Sequence, residues 1–194
     1  MIRKIFLPRI ALPLVAAVLL VATQTPRRVA AGVAAAAAPV VVQANIGVNG
    51  FFSADKAQRG RIVQVAIVLD IPNGFHVNAN KTAKFSIPTT VKIDAPTGLK
   101  ISPVAYPRAV VRRLGFSKDA LPLYEGRAVM RFNVTVPPNF ETGLTELRAK
   151  VNYQSCNNEV CFPPTTREVK LGINVVGANE PVKRINGQFF GGRR

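Results

Sequence analysis

The chain's only two cysteines, Cys156 and Cys161, lie in one short segment, KVNYQSCNNEVCFPP, residues 150–164. Four residues separate them, and a hairpin of this length can bring two Cα atoms within disulfide range. Such a pair has three chemical uses: a structural disulfide, two ligands of a metal ion, or a dithiol that exchanges electrons with other proteins. The residue types alone leave all three uses open.

The spacing of the pair bears on each of these uses. A disulfide that closes about six residues removes little unfolded-state entropy and stabilises a fold by roughly 2 kcal/mol. A zinc site usually needs four ligands, whereas the pair supplies two and His76 is the chain's single histidine. We therefore expect no metal and no other cofactor. A tight, exposed ring suits exchange, which needs a thiolate that nearby positive charge would favour.

The elements that must position the cysteines have the pattern of short β-strands. Residues 127–136, RAVMRFNVTV, alternate apolar and polar side chains, and residues 144–155 form a strand that runs directly into Cys156. Turn signals rich in proline, asparagine and glycine separate these runs, and helical periodicity is almost lacking, which indicates an all-β sandwich. Strands are predicted over 61–70, 88–94, 99–105, 127–136, 144–155 and 166–176.

One connection between the predicted strands is long and basic. Residues 107–123, PRAVVRRLGFSKDALPL, read as irregular, with Phe116 as their single aromatic residue. Loops of this length inside a compact domain are often functional. The basic side chains either form a solvated face or lie over the cysteines, where they would favour a thiolate.

The amino terminus has the pattern of a secretory signal peptide. A charged start is followed by an apolar run, Ile10 to Ala22, that is shorter than the roughly 20 residues needed to span a bilayer. We predict a signal peptide over 1–31, with a cut site between 23 and 38, and no transmembrane span after cleavage. The remainder divides into a sandwich over 39–176 and a flexible basic tail over 177–194. Export would place the cysteines in an oxidising compartment, the periplasm or another, as part of a soluble domain.

The composition limits the classes of partner. The 194 residues include 26 basic and 10 acidic side chains, a formal net charge of +16. This balance suits contact with acidic partners, anionic lipid or nucleic acid, and does not by itself choose between them. We expect no nucleic-acid partner, because an exported domain with 7% aromatic residues and no tryptophan has little material for base stacking.

The cysteine segment resembles the active-site hairpin of a family, the N-terminal periplasmic domain of the thiol:disulfide interchange protein DsbD. Residues 73–80, NGFHVNAN, and 122–126, PLYEG, are similar to two further segments of that family, in the same order. The resemblance spans roughly 45–176. In that family the hairpin reads YQ-x-C, then a few residues, then C-[FYL]-P-P. The matching residues here are Tyr153, Gln154, Cys156, Cys161, Phe162, Pro163 and Pro164.

This resemblance implies an immunoglobulin-like β-sandwich with a redox-active cysteine pair at one end. Cys161 would form the mixed disulfide with partners, and Cys156 would resolve it. A cap loop, by position 107–123, would shield the pair with Phe116 over the sulfurs and open when a partner docks. The expected neighbours of the site are His76, Asn78, Tyr153, Phe162 and Pro163, where His76 and Asn78 stand in place of tyrosines found in the family.

The resemblance also implies partners. Electrons would come from a thioredoxin-like protein or a membrane thiol reductase, expected to be a separate protein, and pass to oxidised periplasmic proteins. Two rival interpretations remain. In one, the same fold is a binding or assembly module with Cys156–Cys161 as a permanent structural disulfide. In the other, it is a basic surface-binding protein whose arginines hold anionic lipid or polymer, with salt-sensitive binding that ignores the cysteines.

Overall fold

The computed structural model of the protein describes residues 45–84 and 86–191, and two of its sheets face each other as a β-sandwich. All strand pairs in these sheets are antiparallel except one between β12 and β2, defined below. The first sheet has the order β1 (Gly47–Phe52), β3 (Ile62–Asp70), β9 (Arg127–Thr135), β6 (Lys100–Ile101). The second has the order β2 (Lys56–Gln58), β12 (Thr165–Val176), β10 (Gly143–Tyr153), β5 (Thr90–Asp94).

Alternating side chains of the two sheets form the core. In β9 every second residue is buried, from Ala128 to Val134, and β10 shows the same alternation up to Tyr153. Apolar residues of β10 and β12, which are neighbours in the second sheet, meet those of β9 from the first sheet. This arrangement confirms the predicted immunoglobulin-like sandwich. The strand predicted over 99–105 is shorter than expected, because Pro103 has no N–H to donate to the ladder.

A third sheet of four short strands carries Cys156. Its order is β11 (Ser155–Cys156), β4 (His76–Asn78), β8 (Ala120–Tyr124), β7 (Val110–Arg113). The prediction that 107–123 is an irregular loop is therefore wrong, since most of it forms the β7–β8 hairpin. All four residues of β7 are exposed, so this strand has no apolar alternation for a sequence pattern to reveal.

The predicted flexible tail is also wrong for 177–191. Arg184 forms a β-bridge with Ala54, and a short helix, α1 (Gly187–Phe190), follows. The Phe189 ring is buried and stacks on Phe51 with ring centroids 4.4 Å apart. The segment thus packs on the outer face of the first sheet, because aromatic side chains there bury apolar area that would otherwise face water.

The predicted signal peptide, residues 1–31, and its cut site lie outside the described residues. Among the residues that are described, no helix is long and apolar enough to cross a bilayer.

The packing of α1 predicts a measurable effect on stability. Phe189→Ala should lower the free energy of unfolding by about 3 kcal/mol, since it removes a buried aromatic ring. Leu144→Ala is the control, because that side chain is 84% exposed and its truncation should change stability by less than about 0.5 kcal/mol. Urea unfolding measures both. Equal, small effects would mean that the segment does not contribute to the fold.

Candidate functional site

Cys156 and Cys161 form a disulfide with their Cα atoms 4.0 Å apart. The backbone between them is a tight turn in which the Asn157 N–H donates to the Val160 carbonyl at 2.9 Å. The Asn157 side-chain oxygen accepts two further backbone hydrogen bonds, from Glu159 at 2.8 Å and Val160 at 2.7 Å. Asparagine commonly stabilises turns in this way, so the residue after the first cysteine fixes the small ring.

The two sulfur-bearing residues differ in exposure. Cys156 is fully buried, because it belongs to β11 and pairs with β4. Cys161 lies just after the turn and is partly exposed. A thiolate arriving from solvent can therefore reach Cys161 more readily than Cys156.

A pair of amide side chains fastens the cysteine hairpin to β4. Gln154 donates from its side chain to the Phe162 carbonyl at 3.1 Å, and so joins the two arms of the hairpin. Asn78 donates to the Gln154 side-chain oxygen and to the Ile87 carbonyl, both at 3.1 Å. Asn78 is buried, so these bonds replace its contacts with water. The structure places Asn78 beside the hairpin as a support.

The other expected neighbours divide into core and surface. Phe162 is buried directly after Cys161, and its ring is tilted against Phe75 with centroids 6.1 Å apart. Tyr153 belongs to the sandwich core, whereas Pro163 is exposed. Phe162 is thus the aromatic that supports the return arm of the hairpin.

The turn of the β7–β8 hairpin touches the cysteine loop. The Gly115 N–H donates to the Asn158 carbonyl at 3.2 Å. A Cβ atom at position 115 would lie 3.1 Å from that same oxygen, so a side chain there would crowd the contact. Phe116 follows Gly115 and is 43% exposed. Leu114, which precedes Gly115, is buried in a small apolar cluster within the β7–β8 hairpin. Phe116 is therefore not a residue of the sandwich core.

His76 lies directly opposite Cys156 in the antiparallel register of β4 and β11. Its side chain is only 3% exposed, and burial lowers its pKa, an effect that the nearby Glu125 carboxylate partly opposes. Glu125 in turn accepts two hydrogen bonds from the Arg112 guanidinium, at 3.0 and 3.1 Å, which lower the pKa of Glu125. His76, Glu125 and Asn158 line a cleft of about 240 Å³.

Sequence reasoning did not single out Glu125 or Arg112 as site residues. Glu125 stood within the PLYEG segment, and Arg112 was one of several basic residues in 107–123. Their ion pair arises from the pairing of β7 with β8, which the exposed sequence of β7 does not reveal. Within the described ranges, no three His, Cys, Asp or Glu side chains gather as a metal site.

Comparisons with known proteins show what this chain is similar to. A family model described as "Thiol:disulfide interchange protein DsbD, N-terminal" matches residues 49–173. The reduced N-terminal domain of DsbD from Neisseria meningitidis is similar at 17% identity and a TM-score of 0.42, over 66% of this chain and 85% of that one. The N-terminal periplasmic domain of ScsB from Proteus mirabilis is similar at 13% identity and a TM-score of 0.43, over 69% and 47%. No curated protein sequence matches.

The buried histidine predicts a pH-dependent stability. Because the folded state lowers the pKa of His76, the unfolded chain takes up a proton first as the pH falls. The free energy of unfolding should therefore decrease as the pH is lowered from 7.5 through about 6.5, the ordinary histidine pKa, and on toward the lower pKa of the folded state. His76→Gln should flatten this decrease, since the chain has no other histidine. Urea unfolding at pH 7.5, 6.5 and 5.5 measures the free energy of unfolding of both proteins. If it depends on pH in the same way in the two proteins, the decrease does not come from His76.

Proposed function

Because the chain belongs to the family of the N-terminal domain of the thiol:disulfide interchange protein DsbD, we propose that it relays reducing equivalents to oxidised periplasmic proteins through Cys156 and Cys161. The donor is a thioredoxin-like protein or a membrane thiol reductase. The protein acts in the periplasm after removal of a signal peptide over 1–31, and it uses no cofactor of its own. The observation that carries the proposal is a disulfide with one buried and one accessible cysteine in a chain of this family.

The exposure of the two cysteines supports different roles for them. Cys161 forms the mixed disulfide, since it is the partly exposed member of the pair. Cys156 is buried and cannot meet an incoming protein directly, so it resolves the mixed disulfide from inside. In the direction proposed, the Cys161 thiolate attacks a substrate disulfide and releases one substrate thiol. Cys156 then attacks Cys161, and the second substrate thiol leaves.

The β7–β8 hairpin acts as the cap. Its turn already contacts the cysteine loop through Gly115 and Asn158, and Phe116 is the next residue. We assign Phe116 to shielding the sulfurs from small thiols, and the opening of the hairpin turn to partner docking. Because Phe116 is largely outside the packed core, this role does not compete with a structural one.

Trapping experiments test the relay and the roles of the two sulfurs. Cys156→Ser should accumulate a covalent complex with an oxidised thioredoxin-like protein, because the resolving thiol is missing. Cys161→Ser should accumulate little, because the remaining thiol is buried. Non-reducing gel electrophoresis with mass spectrometry reads out both variants. A permanent structural disulfide predicts complexes from neither variant, and equal amounts from both would overturn the assignment of roles.

The cap predicts a second pair of measurements. Phe116→Ala should speed reduction of the disulfide by a small thiol such as dithiothreitol, since exchange depends on access to the sulfur. It should change the free energy of unfolding by less than about 1 kcal/mol, because the ring is not in the core. Val111→Ala, an exposed residue of β7 away from the turn, is the matched control. Unchanged thiol kinetics in Phe116→Ala would remove its role in the cap.

A further inference from the structure

We propose that His76 is the proton acceptor for the Cys156 thiol when that thiol resolves a mixed disulfide on Cys161. This inference rests on the proposed exchange function and adds to it a chemical role for His76, which the resemblance implies only as a neighbour of the site.

The first support is the position of the two residues in the sheet. His76 and Cys156 are directly opposed in the antiparallel β4–β11 pair. Side chains opposed in this way leave the same face of the sheet, with Cβ atoms roughly 4.5–5.5 Å apart. Cys156 is fully buried, so bulk water does not reach its thiol to take the proton, whereas His76 lines the cleft and can pass a proton on. The imidazole is the basic group that the strand register brings to Cys156.

The second support is an unsatisfied polar atom. The Nε2 atom of His76 is buried, and nothing in the described part of the chain hydrogen-bonds to it. Buried polar atoms nearly always have a partner, so an exception calls for an explanation. In the disulfide form the Cys156 sulfur carries no proton to donate. Once the disulfide is reduced, the Cys156 thiol becomes a donor on the same face, and the orphaned nitrogen gains its partner.

The surrounding charges suit a proton acceptor. The titratable groups that face His76 are Cys156 from β11 and Glu125, which directly follows β8. Burial lowers the pKa of His76, so the imidazole is neutral and can accept a proton near pH 7. The Glu125 carboxylate, held by Arg112 of β7, favours the imidazolium once it forms. The imidazole is therefore free to take the proton, and the Glu125 charge stabilises it after it has done so.

The step balances in protons and electrons. Cys161 is bonded to a substrate sulfur, and Cys156 is a thiol. The proton of Cys156 passes to Nε2 of His76, and the Cys156 thiolate attacks the Cys161 sulfur. The bond between Cys161 and the substrate breaks, the Cys156–Cys161 disulfide forms, and the substrate sulfur leaves as a thiolate with both electrons of that bond. The imidazolium then returns its proton to solvent or to the leaving thiolate.

A two-phase reaction separates this step from the one before it. The reduced protein is mixed in a stopped-flow instrument with dithiobis(nitrobenzoate), an aromatic disulfide that releases one coloured thiolate per exchange. The first phase reports attack by Cys161, and the second reports resolution by Cys156. At pH 6.5, His76→Gln should slow the second phase by tenfold to a hundredfold and leave the first phase within about twofold. The upper bound follows because a thiol of ordinary pKa, about 8.5, is only about 1% ionised at that pH.

A second variant tests the role of His76 without changing residue 76 itself. Glu125→Gln removes the charge that raises the pKa of His76, so the pH at which the second phase loses rate should shift downward. Asn73→Ala is the control, since Asn73 lines the same cleft, is exposed and carries no charge. It should leave both phases and the pH profile unchanged.

The outcomes distinguish the two proposals. If the wild-type protein releases no coloured thiolate in either phase, the exchange function itself fails. If both phases occur but neither His76→Gln nor Glu125→Gln changes the second phase or its pH profile, the exchange function stands and the role of His76 is overturned. If His76→Gln does not fold, the shift in the Glu125→Gln profile decides alone.

Discussion

The pairing of β11 with β4 is the contact on which the rest of the site depends. Two residue pairs in register place Cys156 on the edge strand of the third sheet, opposite His76. The partner cysteine follows a four-residue turn, forms only a single β-bridge back to Cys156 and remains partly exposed. The Gln154 and Asn78 amides hold these short strands together, since a ladder of two residues has few backbone hydrogen bonds of its own. The chemical difference between the two sulfurs thus originates in strand pairing.

The sandwich was predictable where one face of a strand is buried and the other is not. The twofold alternation in β9 and β10 marks their inward residues directly. The cysteine hairpin was equally predictable, because the cysteine spacing and the flanking residues follow a specific sequence pattern. In both cases the information lies in neighbouring residues, where a sequence pattern records it.

The parts that were missed depend on contacts between distant segments. The exposed strand β7 is stabilised by its hydrogen bonds with β8, and its side chains show no alternation of buried and exposed positions. The sequence of 177–191 predicts a mobile segment, because it is basic and rich in glycine. In the structure Phe189 stacks on Phe51 at the outer face of the sandwich. For the same reason β3 is buried on both faces, with Ala66 and Val68 covered from outside. Long-range partners of this kind leave no local signature.

The contact between Gly115 and Asn158 has a thermodynamic consequence. It joins the turn of the β7–β8 hairpin to the loop that the disulfide closes, so hairpin position and redox state share one interaction. Linkage is reciprocal: the factor by which oxidation strengthens this contact is the factor by which the contact favours oxidation. If the closed ring strengthens this contact, a partner that binds by lifting the hairpin would also make the disulfide easier to reduce. The proposed docking step and the proposed exchange step would then be thermodynamically linked through this backbone hydrogen bond.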